Sequence, residues 1–223
     1  MRTLGNLIKQ DADAFADMGG GSVALNHRLQ CVYKLAEAVF FLHTAGFLHE
    51  NITPGCGVVL PTPPSQRPTA LVDGAYLMGF DLIRGADAYT AKQGIALAAG
   101  SSDSQSIWDF DVYQHRDRLQ TGGRSGPRYI KTYDVYSLGV ILLQVGLWQP
   151  LVEVVPELAD MDKAEWADQL LELVPSLAPR VGERYAGLVS WCLGLTGDEV
   201  TRDDEFVKRV LDPLEDMAKA LQA

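Results

Sequence analysis

Basic residues are scarce in this 223-residue chain: Lys and Arg number 19 against 29 Asp and Glu, a formal net charge of -10. Binding to nucleic acid or an anionic membrane needs clustered cations, and the chain has no basic run and no aromatic–basic interleaving. Neither partner is expected, and the negative balance reads as a contribution to solubility. Cysteine is equally sparse. Cys31, Cys56 and Cys192 stand far apart, with no Cys-x-x-Cys or Cys/His ligand pair, which reads as reduced thiols in an intracellular compartment. No apolar run reaches the length of a membrane span, and the opening MRTLGNLIKQ lacks the apolar core of a signal peptide. The default expectation is a cytoplasmic protein.

What the chain does contain is ordinary for a globular domain: 47% hydrophobic and 22% charged residues, with enough length for one substantial core. LGNLIKQDADAF predicts a short helix at 4–16. Leu25, Leu29, Val32, Leu35, Val39 and Leu42 step by three or four, predicting a long helix over 23–45 that Gly46 ends. A loop, FLHENITPGCG, follows. VVL and AYLMGF then read as two short strands joined by a Pro-rich connection. From Asp81 to Val112 the chain reads as a long loop.

The second half is helical. KTYDVYSLGVILLQVGLW is apolar nearly all round, the mark of a core helix. DKAEWADQLLELV opens with Asp162 and Glu165 at capping-box spacing. RVGERYAGLVSWCLGL predicts another helix. A last one follows TRDD, with Phe206, Val210, Leu214, Met217 and Leu221 as its buried stripe. Trp148, Trp166 and Trp191 are placed to anchor helix packing. Nothing divides the chain, so 1–223 is expected to be one mainly α domain with a small β-hairpin.

Several local patterns carry no chemistry. MGGGS and GGRSG lack the strand–helix setting and the Gly-Lys-Ser/Thr of a phosphate loop. Pro127 stands where the G-x-S-x-G of a hydrolase would have its last Gly. The histidines at 27, 43, 49 and 115 form no metal-ligating i,i+4 pair, and His27 and His43 read as surface or packing residues. The acids of TRDDE read as helix-start charges.

The order of elements is specific: a long helix, a His-containing loop, two short strands, a long loop, then a buried helix opening with DVYSLG. It resembles the C-terminal lobe of a protein kinase, whose loop reads HRDLKPEN, whose second strand ends in DFG and whose long loop closes with APE. HENITPGC, GFD, HRD at 115–117 and DVYSLG at 134–139 stand at the corresponding places. FLHTAGFLHENITP, YLMGFDLIR and DVYSLGVILLQVGLWQPL resemble more narrowly the diverged kinase-like domains common in fungi. The likeness runs from about residue 20 onward.

The resemblance implies the following for single positions. His49 falls on the loop His and Phe80 on the Phe of DFG. Asn51 stands in place of the catalytic Asp, and an amide cannot serve as a base. Thr53 replaces the phosphate-contacting Lys, Cys56 the metal-binding Asn and Gly79 the metal-binding Asp. Asp134 is expected to bind backbone amides of the His49 loop, a place where a helix N-terminus also favours an Asp. Asp117 and Arg202 are candidates for the ion pair that ties the long loop to the helical core. Asp81, aided by Glu50, is the one candidate for a compensating metal ligand.

No glycine-rich strand pair and no strand Lys of the VAIK type occurs, and the roughly twenty residues before the long helix are too few for a five-stranded N-lobe. The expectation is a catalytically inactive kinase-like module with no cofactor. It would act through a protein partner or self-association, using the 81–112 loop or the face an N-lobe normally covers. The alternative is an atypical or truncated kinase that binds ATP and magnesium through Asp81 or Asp73 and transfers phosphate to protein. A helical scaffold unrelated to kinases is the third reading, and it predicts that the 47–60 and 75–81 segments do not pair as strands beside the buried helix.

Overall fold

The computed structural model describes residues 2–18, 23–60, 74–85, 107–119, 128–198 and 200–221. In chain order, β1 (Arg2–Thr3) leads into α1 (Leu4–Met18), and α2 (Leu25–Thr44) follows. Four short strands come next: β2 (Phe47–Leu48), β3 (Gly57–Leu60), β4 (Gly74–Leu77) and β5 (Arg84–Gly85). The second half contains α3 (Lys131–Leu147), α4 (Trp166–Leu173), α5 (Glu183–Leu193) and α6 (Asp212–Ala220). A helical turn at Asp203–Phe206 and a π-helical turn at Val207–Leu211 lead into α6. Among the described residues no helix is long and apolar enough to cross a membrane.

The core is organised around α3. All but the first of its residues are buried, because the helix is apolar nearly all round and is covered on every side. α5 crosses it closely, and small residues make this possible. A Cβ on Gly139 would lie 2.5 Å from Cys192 Cβ, and one on Gly146 would lie 2.7 Å from Leu177 Cδ2. Tyr185 fixes the crossing by donating its hydroxyl to the Leu142 carbonyl at 2.7 Å. α2 packs against α3 on another side with Leu29, Val32, Leu35, Ala36 and Val39 buried. Leu42 is only half-buried, and His43 takes the inward place one residue later.

β3 and β4 pair antiparallel, Gly57 opposite Leu77 and Leu60 opposite Gly74, which is the expected hairpin. Two pairings go beyond it. β1 adds to β3 to make the sheet order β1–β3–β4, and β2 pairs with β5, Phe47 opposite Gly85. Two-residue strands are too short to leave an alternating pattern in the sequence. Ala75 and Leu77 turn inward from β4. Leu60, Tyr76, Met78 and Phe80 stay between 38% and 53% exposed and form an apolar strip on and just beyond the hairpin.

Other expectations need correction. The predicted loop 81–112 has structured ends, a 3-10 turn at Phe80–Leu82, then β5, and a 3-10 turn at Asp111–Tyr113; residues 86–106 lie outside the described ones. Asp73 and GGRSG also lie outside them. No capping box forms at Asp162, because α4 begins only at Trp166; the Asp162 carboxylate instead accepts the Ala164 amide at 2.9 Å. On the last helix Leu221 is exposed and Ala218 is buried.

The α3–α5 crossing can be tested with one pair of variants. Gly139→Ala is expected to lower unfolding free energy by about 1–3 kcal/mol through overpacking. Gly187→Ala, on α5 with nothing within 4 Å of the added carbon, should be neutral or stabilising by up to about 1 kcal/mol. Urea titration of both variants measures the contrast.

Candidate functional site

The loop between α2 and β3 is built on one buried carboxylate. α2 ends in a turn, Ala45 and Gly46 donating to the Phe41 and His43 carbonyls, and Gly46 at φ 81° reverses the chain. β2 then carries it to His49 and Glu50, and Glu50 holds a left-handed backbone at φ 62°. That conformation is strained for a non-glycine residue and concentrates at functional or tightly determined positions. The tight determination comes from Asp134, in the first turn of α3. Its Oδ2 accepts the His49 amide at 2.8 Å and His43 Nε2–H at 3.0 Å. Its Oδ1 accepts the Glu50 amide at 3.0 Å and the Tyr129 hydroxyl at 2.9 Å. The expected contact between Asp134 and the loop amides is therefore present.

Burial alone would raise the Asp134 pKa. The bond from His43, its charge, the His49 amide and the Tyr129 hydroxyl outweigh burial and hold the carboxyl below its ordinary value. The same site pushes the Tyr129 phenol well up, through burial first and the Asp134 charge second. His43 and Tyr129 were not singled out from the sequence as parts of the site. For His43 the signal was there: it lies four residues after Val39, on the buried stripe of α2.

His49 is fully buried, donates Nε2–H to the Met78 carbonyl at 3.0 Å and lies 5.3 Å from the Phe80 ring. Its pKa is lowered, chiefly by burial. Asn51 is half-buried, and its carbonyl accepts the Cys56 thiol at 2.9 Å. Thr53 is buried with its hydroxyl 3.6 Å from the same sulfur. Gly79 sits directly across from Cys56 at φ 81°, and a Cβ there would lie 2.9 Å from Cys56 Sγ. The sulfur thus fills the space a side chain at 79 would need. Asp81 is exposed in the 3-10 turn that follows. Among the described residues no three His, Cys, Asp or Glu side chains converge where they could hold a metal ion. A cavity of about 310 Å³ flanks the loop, lined by Thr53, Pro54, Trp108, Tyr113 and Leu151 among others.

The Asp117–Arg202 ion pair does not form. Arg202 is exposed and binds its own neighbour Asp204 through two bonds of 2.9 and 2.7 Å. Asp117 receives the Tyr133 hydroxyl at 3.4 Å and lies against Gly197. The two segments are tied by other groups. His115 Nε2–H donates to the Leu195 carbonyl at 3.0 Å, while its Nδ1 accepts the Asp117 amide at 3.2 Å. Those two bonds fix a neutral tautomer, and burial lowers the His115 pKa. Thr132 accepts the Thr201 amide at 2.9 Å, and Lys131 reaches Asp203 at 2.6 Å.

No family model and no curated protein matches this chain.

Asp134→Asn is expected to cost about 3–5 kcal/mol, because an amide NH2 would face two of the four donors and leave them unpaired. Urea unfolding measures the loss, and faster hydrogen exchange at the His49 and Glu50 amides localises it. A second expectation concerns pH. His49 and His115 both have folded pKa values below their ordinary value near 6.5, so the unfolded chain takes up protons first on acidification. Their stabilisation is complete above about pH 7 and declines as pH falls below about 6.5. The melting temperature should drop from pH 7 to 5, and His115→Gln should flatten the drop. Asp134, with a lowered pKa, loses its contribution only below its ordinary carboxylate range and does not act in this window.

Proposed function

We propose that this chain is a catalytically inactive protein kinase-like module that works by binding another protein. The order of elements supports the kinase-like reading, together with the Asp134 carboxylate that holds the loop and the β3–β4 pairing. The inactivity rests on one observation: the Cys56 sulfur fills the corner at Gly79, where the resemblance calls for a carboxylate on magnesium. Asn51 offers no base, and Thr53 offers no cation to phosphate. Phosphoryl transfer relies on positioning and charge stabilisation, and losing one such electrostatic group typically costs a factor of about 10²–10³. Asp81 does not favour the alternative of an active kinase, since it is exposed in the 3-10 turn and, among the described residues, no cluster of metal-ligating side chains gathers around it.

The surface put forward for the partner is the apolar strip Leu60, Tyr76, Met78 and Phe80, since exposed contiguous apolar area marks interaction sites. Of the surfaces named from the sequence, the 81–112 loop lies mostly outside the described residues.

Thermal shift with ATP and magnesium tests the inactive reading, and no saturable rise in melting temperature is expected. Gly79→Asp alone should lower stability by about 1–3 kcal/mol and create no nucleotide response. Adding Cys56→Ala should recover part of that loss. A saturable ATP–magnesium shift in the unaltered chain, abolished by Asp81→Ala, would overturn the proposal.

A further inference from the structure

Among the described residues the outer edge of β4 has no partner for its main chain. Met78 N–H donates to the Cys56 carbonyl at 2.8 Å, and the strands continue in register with Val58 opposite Tyr76 and Leu60 opposite Gly74. Hydrogen-bonded pairs alternate along an antiparallel ladder. Gly74, Tyr76 and Met78 therefore turn their main-chain groups to β3, and Ala75 and Leu77 turn theirs away. β4 is, among the described residues, the last strand of its sheet. Among the described residues nothing bonds the outward N–H and C=O of Ala75 or Leu77, and both residues are only 8% exposed. Main chain so covered is almost always paired, and an open edge is a template for another strand.

Beside this edge lies a cavity of about 400 Å³ between α2, β4 and α6. Cys31, Ala75 and Ala218 give it a small-residue floor, and Tyr33 and Tyr76 contribute aromatic walls. Lys34 and Lys219 stand at its rim, matched by Glu37 at 2.6 Å and Glu215 at 2.7 Å. The rim thus carries no net charge and suits uncharged side chains.

We propose that an extended apolar segment of a partner protein, flanked by basic residues, adds to β4 as a fourth strand and sends alternate side chains into this cavity. The proposal rests on the protein-binding reading above and specifies how the partner is held. Main-chain groups two residues apart call for an extended chain, since a helix has already spent its own. Charge selects the flanks. A second copy would bring -10 against -10, whereas flanking lysines or arginines complement the chain. Side chains beside Tyr76 on the outer face would pair with its ring across the strands.

The test uses the full chain, isotope-labelled, and a capped peptide of alternating Val and Tyr between Lys pairs. Its control is the same peptide N-methylated on the edge that would face β4, so that charge and side chains are unchanged. The amides of Ala75 and Leu77 should exchange quickly in the free chain and slow roughly tenfold with the peptide, and the control should bind roughly tenfold more weakly. Ala218→Leu, which fills the cavity, should weaken binding as well. Three results overturn the proposal: no slowing at Ala75 with the peptide, equal binding of both peptides, or sedimentation showing a dimer that protects Ala75 without peptide. An ATP–magnesium thermal shift with peptide binding intact would remove the inactive-kinase reading and leave the strand addition standing. No nucleotide response with an unprotected Ala75 would do the reverse.

Discussion

A fully buried carboxylate cannot stay ionised without close compensation, because desolvating it costs several kcal/mol even after the protein relaxes. Asp134 meets that cost with four donors, two on each oxygen, drawn from α2, from the loop and from the segment before α3. None of these segments can shift without leaving part of the charge unpaired. The left-handed backbone of Glu50 persists for this reason, and the fixed path of residues 49–56 brings Cys56 against Gly79. The geometry of the whole loop follows from one ion and its donors.

Cys56 and Gly79 accommodate each other. The sulfur has room only because residue 79 lacks a Cβ, and a glycine takes the positive φ there without strain. The Cys56 thiol is in turn bonded to the Asn51 carbonyl. Within the proposed reading, the positions that would hold catalytic groups have become one packed unit. A single restored acid meets a wall of atoms, so the loss is built into packing as well as into chemistry.

The long helices were legible because burial imposes their period on the sequence. α3 was legible because it is apolar nearly all round, and the β3–β4 hairpin because its strands are punctuated by Gly and Pro. β1, β2 and β5 were not, since two residues carry no alternation and their pairing is decided by neighbours far along the chain. His43 was undervalued because a histidine on an apolar stripe has no visible partner until Asp134, 91 positions away, is brought to it. The Asp117–Arg202 pair failed for a local reason. Asp204 lies two residues from Arg202 and captures it, and Gly197 lets Asp117 settle against the backbone instead.

At the far end of α3, Trp148 adopts a left-handed backbone and donates its indole N–H to Asp11, which also accepts the Val23 amide. Arg28 covers the same indole at 4.2 Å. The bond joins α1 to a residue 137 positions later. During synthesis α1 leaves the ribosome before α3, so this bond closes only once residue 148 has emerged. Part of the seat of α1 forms earlier, since Leu4 lies beside Gly57 of β3 and near Leu35 of α2, and the Asp11–Trp148 bond is the contact that must wait.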